Sequence, residues 1–304
     1  MRGCYKMKKL SGIVTPVVTP LSAKDHIDTE SLERLVDHCI DSGLQALYPC
    51  GTTGEMMYLS ARERKQVAET VINKTAGRVP VYVHVGGWNL EQTVELASHA
   101  CDAGADGIAI VTPAFFRISE DGLVNYFVSV AGKLPSDFPV YLYAIPQCAV
   151  NDISVNVAER AARVCPNIVG IKYSYPDMTR IQQMMTVREG RFSVLAGPDQ
   201  LLTAVMAMGG DGVVSGSSQV IPKYYEDTLD AIRSGNYYEA AHRQQKTNLL
   251  NEELCRINNI AAYKAVLKKQ GILSTAKTRK PLEEFSESQT EELFSNLEKL
   301  GYHV

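Results

Sequence analysis

Short runs of Val, Ile, Leu and Tyr alternate with longer stretches in which apolar residues recur every three or four positions. The runs fall at 13–18, 46–49, 81–85, 107–111, 140–143, 168–172, 192–195 and 212–215. Most are apolar on both faces, as parallel strands covered by helices should be. Between them, residues 29–42 put Leu32, Leu35, Val36, Cys39 and Ile40 on one helical stripe that stops at Gly43. Residues 90–103 repeat the device with Val94, Leu96, Ala97 and Cys101 ahead of Gly104. Eight such units in about 220 residues predict a TIM (β/α)8 barrel, whose usual size is ~250 residues. Three more helical stretches, 237–254, 260–270 and 288–300, exceed what the barrel ring can use. The expected division is therefore a ragged N-terminus over 1–9, a catalytic barrel over 10–234 and a C-terminal three-helix extension over 235–304. An open doubly wound sheet shares this alternation, but it calls for GxGxxG after the first strand. Thr15-Pro16-Val17-Val18-Thr19-Pro20 stands there instead.

Charge and cysteine usage narrow the classes. The 304 residues carry 31 Lys+Arg against 34 Asp+Glu, a net charge of −3. That balance argues against a nucleic-acid or anionic-membrane surface, because both need accumulated cations. No apolar run approaches the ~18 residues that would span a bilayer, and the basic start has no apolar stretch behind it like a secretory leader. The seven cysteines (Cys4, Cys39, Cys50, Cys101, Cys148, Cys165, Cys255) are scattered and form neither CxxC nor Cys/His ligand spacings. A disulfide framework or structural zinc is not indicated, and a reducing cytoplasm fits best.

In a barrel the chemistry sits at the C-terminal strand ends. Lys172 closes the apolar run Ile168-Val169-Gly170-Ile171. Desolvation there favours the neutral amine that attacks carbonyls, and Gly170 is expected to leave room beneath it. The same position also suits a lysine that snorkels to solvent or pairs with a carboxylate. Tyr143 ends the preceding strand, beside Lys172, where a phenol can pass protons or simply fill the barrel mouth. Gly51-Thr52-Thr53-Gly54-Glu55 after the second strand offers hydroxyls and backbone N–H groups, a nest for a small carboxylate. It could equally be a capping turn in which the threonines hold the next helix and Glu55 its dipole.

Taken together, Gly-Thr-Thr-Gly-Glu, Tyr143-x-x-Pro146 and Gly170-Ile171-Lys172 resemble the N-acetylneuraminate lyase / dihydrodipicolinate synthase family of class I pyruvate aldolases and lyases. The resemblance runs from about Leu10 into the tail, where Arg279-Lys280-Pro281-Leu282 is similar to the family's closing segment. It implies that Lys172 forms a Schiff base with a 2-oxo acid, that Thr52 and Thr53 hold its carboxylate with Gly51 in the same turn, and that Tyr143 shuttles the proton. It implies neither metal nor cofactor, a small-molecule 2-oxo acid as partner, and a homo-oligomer, tetramer or dimer.

Three departures bear on the substrate. Cys148 stands where the lysine-biosynthetic synthases resembled here carry the arginine for a second carboxylate, and a thiol makes no bidentate pair. Arg117 is a conceivable substitute with nothing to recommend it. Phe115 replaces the tyrosine that reaches a neighbouring subunit's site; with Cys148 it is expected as pocket wall or subunit contact. Asp199-Gln200 keeps one member of the sialic-acid lyases' Asp-Glu pair, and Ser174 and Ser217 add hydroxyls. A polar, uncharged sugar-acid pocket follows. The expected reaction is cleavage of a 2-keto-3-deoxy sugar acid to pyruvate and an aldehyde, or its dehydration. Dihydrodipicolinate synthesis from pyruvate and aspartate semialdehyde, and a catalytically weak keto-acid binder, are the alternatives. His84, inside the third strand, reads as a core histidine rather than a catalytic one.

Overall fold

The computed structural model describes residues 9–304; the first eight residues of the expected ragged terminus, with Cys4, lie outside the described part. Eight strands form one parallel sheet: β1 (Gly12–Thr15), β2 (Ala46–Leu47), β3 (Tyr82–His84), β4 (Gly107–Val111), β5 (Val140–Ala144), β6 (Ile168–Tyr173), β7 (Ser193–Ala196) and β8 (Gly212–Val214). Their order is β2-β1-β8-β7-β6-β5-β4-β3. A single parallel bridge, Leu47 to Val81, joins the two ends, helped by Leu47 N–H donating to the Pro80 carbonyl and His84 N–H to that of Pro49, each at 3.0 Å. The expected TIM barrel is thereby closed.

The helices that wrap it are α1 (Thr29–Asp41), α2 (Ala61–Thr75), α3 (Leu90–Asp102), α4 (Glu120–Ala131), α5 (Val155–Val164), α6 (Met178–Met184), α7 (Leu202–Ala207) and α8 (Pro222–Arg233). Their starts are set locally. Asp28, Ser60, Asn89, Ser119, Ser154 and Asp177 each accept a backbone N–H of the first turn they precede, and Ser60 completes a capping box with Glu63. The inward stripes are buried as the periodicity requires: Leu32, Leu35, Val36 and Cys39 of α1, and Leu96, Ala97 and Cys101 of α3. Each large aliphatic side chain so placed contributes about 1.5–3 kcal/mol. The extension is α9 (Tyr237–Cys255), α10 (Asn259–Lys269) and α11 (Glu287–Lys299). Within it α9 lies lengthwise on α8 and also meets α7, α10 and α11. The first strand is shorter than its apolar run, because Pro16 and Pro20 cannot donate to a ladder.

The barrel interior is a separate small core of Leu10, Val14, Ala46, Tyr48, Tyr82, Ala109, Tyr141, Val169, Leu195 and Val214. Tyr82 and Tyr141 meet edge to face at 5.3 Å. Both rings need a glycine beside them. A Cβ on Gly107 would come within 2.3 Å of Tyr82 Cε1, and one on Gly170 within 2.5 Å of Tyr141 Cε1. The space expected beneath Lys172 therefore exists but is filled, by Tyr141. Between β5 and β6 the register shifts: Val140 pairs with Ile168 but Tyr141 pairs with Gly170, leaving Val169 as the extra residue. Since one residue of slip exchanges the two faces of a strand, this bulge brings Lys172 onto the inner face, level with Tyr143.

Gly170→Ala should overpack this layer and destabilise the protein by about 1–3 kcal/mol, measured as a lower midpoint of chemical unfolding. Adding Tyr141→Leu should recover part of the loss, since the two sites are in contact.

Candidate active site

The open end of the barrel leads to a cavity of about 490 Å3, within the range that holds small metabolites. Lys172 rises into it from β6, only 6% exposed. Its Nζ lies over two aromatic faces, 4.1 Å from the centroid of Tyr143 and 4.9 Å from that of Tyr48. It neither snorkels to solvent nor joins an ion pair among the described residues. Tyr143, level with it on β5, is buried. The Tyr143 ring stands edge-on to Tyr48 and to His84, at 6.4 and 5.7 Å. Its hydroxyl is 3.1 Å from Thr52 Oγ1. Amine, phenol and threonine hydroxyl thus share one corner of the cavity, an arrangement able to add an amine to a carbonyl and move the protons this requires.

The turn Gly51–Glu55 owes its shape to left-handed backbone at both ends, φ 62° at Cys50 and 61° at Glu55, each costing about 1 kcal/mol or more for a non-glycine residue. Gly51 packs under Tyr48, where a Cβ would meet Cε1 at 2.9 Å. Thr19 Oγ1 donates to the Gly54 carbonyl at 2.8 Å, and Glu55 N–H to that of Thr52 at 3.0 Å. The threonines do not cap the next helix, because Ser60 does so. Glu55 does not serve that helix's dipole either. Its buried carboxylate pairs with Lys264 and accepts the Arg279 N–H.

The other expected residues separate into two groups. Ser174 and Gln200 line the cavity with Thr52 and Thr53. Asp199 also borders it, yet its carboxylate is fully occupied: Oδ2 accepts from Ser215 at 2.6 Å, Tyr225 at 2.8 Å and Ser217 at 3.3 Å, and Oδ1 from Asn251 at 2.8 Å. Burial pushes its pKa up, against the pull of those donors. Ser217 is wholly buried within this network and does not reach the cavity. Phe115, 75% exposed, sits outside it with φ 75° and its ring against Phe116. Cys148 is an exposed residue, and partial desolvation of its thiol pushes its pKa up. Neither it nor Arg117 borders the cavity. His84 is fully buried, with Nδ1 3.0 Å from the Cys50 carbonyl. Burial, with Arg64 and Lys172 nearby, holds its pKa well below the usual value, so the ring is a neutral core group.

Part of the wall comes from the extension and was not expected there. Asn248, Asn251, Glu252 and Cys255 of α9, with Asn259 and Tyr263 of α10, line the cavity. The signal in the sequence is spacing: Gln244, Asn248 and Asn251 stand at i, i+4 and i+7, one polar face on a helix otherwise read as packing. Gln244 donates to Asn248 Oδ1 at 2.8 Å and Asn251 to Asp199 Oδ1 at 2.8 Å, which orders this face. No three His, Cys, Asp or Glu side chains among the described residues converge as a metal site, and no described helix is long and apolar enough to cross a membrane.

Comparison with known proteins agrees with this geometry. The model of the dihydrodipicolinate synthetase family matches residues 9–300. A 4-hydroxy-tetrahydrodipicolinate synthase of Sorangium cellulosum is 34% identical over 292 residues, 96% of each chain. The Escherichia coli protein YagE, provisionally named a 2-dehydro-3-deoxy-D-gluconate aldolase, is 34% identical over 238 residues, covering 77% of this chain and 78% of that one. The crystal structure of YagE in complex with pyruvate superposes with a TM-score of 0.91 at 30% identity, over 97% of this chain and 99% of the other. The chain belongs to the dihydrodipicolinate synthetase family, whose members are class I lyases and synthases working through a lysine Schiff base with pyruvate.

Proposed function

We propose that this protein acts on a 2-keto-3-deoxy sugar acid, cleaving it reversibly to pyruvate and an aldehyde or dehydrating it. The observation that carries the choice is the charge of the wall. Among the described residues Lys172 is the only Lys or Arg bordering the cavity, which otherwise holds two acids, Asp199 and Glu252, and the amides of Gln147, Gln200, Asn248, Asn251 and Asn259. If Lys172 is consumed in the imine, nothing cationic is left for the second carboxylate of aspartate semialdehyde, whose burial without a partner is costly. Hydroxyls of a sugar chain find donors and acceptors all along that wall.

In this reading the free amine of Lys172 adds to the C2 ketone, and loss of water gives an iminium. The C3–C4 bond breaks with its electron pair entering the iminium to form an enamine, while the C4 hydroxyl gives its proton to the Tyr143 phenolate, which was left when the phenol protonated the departing water and is held by the Thr52 hydroxyl. The aldehyde leaves, C3 takes up a proton, and water hydrolyses the imine to pyruvate and the original amine. Dehydration starts from the same iminium, loses a proton from C3 and expels a hydroxyl as water. Thr52, Thr53 and the N–H groups of their turn hold the C1 carboxylate and fix C2 against Nζ. The residues provide this chemistry without a metal or cofactor.

A homo-oligomer, dimer or tetramer, is part of the proposal. The apolar side chains Trp88, Phe115, Phe116 and Ile118 are exposed on the neighbouring loops after β3 and β4 and suit a second copy. The described cysteines form no disulfide with one another, in keeping with the reducing cytoplasm proposed for this chain.

Pyruvate with borohydride should add one reduced three-carbon adduct to Lys172, seen by peptide mass spectrometry and lost in Lys172→Met. Tyr143→Phe should keep the adduct but lower kcat about 10²–10⁴-fold. In a panel scored for pyruvate release or dehydration, neutral 2-keto-3-deoxy acids should turn over faster than pyruvate plus aspartate semialdehyde condense. The reverse ranking would identify the synthase instead. Glu252→Arg should shift kcat/KM toward the acidic partner by about tenfold. Phe115→Asp with Phe116→Asp should move the sedimentation coefficient toward that of a monomer.

A further inference from the structure

The geometry points to Lys264, on α10 of the extension, as a positioning residue for 2-oxo acid binding: through Glu55 it holds the Gly51–Glu55 turn in the shape that faces the substrate carboxylate. This rests on the reading of Thr52 and Thr53 as the carboxylate site, and it places part of the binding machinery outside the barrel.

Lys264 is a second buried lysine, wholly inaccessible. Its Nζ divides between the Glu55 carboxylate and the Lys277 carbonyl, the latter at 2.6 Å. The other Glu55 oxygen takes the Arg279 N–H at 2.5 Å, and Arg279 Nη2 pairs with Glu63 of α2 at 2.7 Å. Arg279 and Glu284 are the further charges that bear on Lys264, in opposite senses. The closing segment Arg279-Lys280-Pro281-Leu282 and α10 thus grip the turn by one side chain.

That grip has something to restrain. Both ends of the turn are left-handed at non-glycine residues, so the shape is not its lowest state in isolation. A cleft of about 200 Å3 behind it, lined by Thr52, Met56, Ile260 and Leu282 among others, gives it room to relax. Thr52 is also the residue whose hydroxyl meets Tyr143, so a slackened turn would displace the anchor for the carboxylate and the partner of the phenol together. A buried pair often adds little net stability, and here its use is the register of the turn.

The test compares borohydride trapping of pyruvate with that of pyruvamide, which has the same ketone but no carboxylate, in wild type, Thr52→Val, Lys264→Met and the neutral double variant Glu55→Gln with Lys264→Met. Wild type should trap pyruvate at a half-saturating concentration at least tenfold below that for pyruvamide. Lys264→Met should lose most of that preference while its trapping rate at saturation falls less than threefold, and the double variant should regain part of the preference. Loss of folded protein would lower both ketones alike and leave the ratio unchanged. If Lys264→Met does not fold, the double variant carries the test, and a preference there equal to wild type overturns the inference. A folded Lys264→Met with the wild-type ratio overturns it also, as does failure of both variants to fold, which would assign the pair to folding. If Thr52→Val keeps the full preference, or wild type has none, the carboxylate-site reading itself fails, and the inference fails with it.

Discussion

A single extra residue in one strand governs the site. Val169 bulges from the β5–β6 ladder, and every residue after it changes face. Were the ladder regular, Tyr143 would pair with Ile171 and Lys172 would face the helices. As it is, Lys172 enters the barrel mouth level with Tyr143, above the faces of two tyrosines. The same shift places Gly170 where the ring of Tyr141 needs the absence of a side chain. The packing of the interior and the placing of the amine are therefore one decision, and the edge-to-face rings of Tyr82 and Tyr141 brace it from below.

The second theme is the division of charge. Among the described residues that border the cavity, Asp199 is taken up by hydrogen bonds within the protein, which leaves Lys172 on the inner face and Glu252 at the wall. Asp199 is saturated by four donors, Ser215 and Ser217 of the turn after β8, Tyr225 of α8 and Asn251 of α9. Glu55 and Lys264 cancel one another out of sight of the cavity. The cavity therefore presents one amine in a field of amides and hydroxyls, the setting on which the proposed choice of a neutral sugar acid rests.

Much of this architecture was legible in the chain, because buried parallel strands and amphipathic helices write different periods. β4 was found residue for residue and the three tail helices to within one residue. Lys172 and Tyr143 were legible because a polar residue closing an apolar strand has few places to go. The bulge at Val169 was not, since an apolar run looks the same in either register. Nor was the fate of Glu55, whose partner Lys264 lies 209 positions away. The network around Asp199 was not legible either, since Ser217, Tyr225 and Asn251, which occupy its carboxylate, are brought to it only by the fold. The amide face of α9 carried a readable spacing but sat in a segment whose apolar residues suggested packing alone.

The seam between β2 and β3 has a consequence for motion. Every other pair of staves in the cylinder is stitched by a ladder, whereas this one is fastened by the lone bridge at Leu47 and two backbone hydrogen bonds, from Leu47 N–H to Pro80 and from His84 N–H to Pro49. Local opening follows the thinnest hydrogen bonding, so breathing of the wall should begin along this join. The join runs directly into the turn that bears Thr52 and Thr53, which makes that rim of the cavity the most compliant part of an otherwise stiff shell.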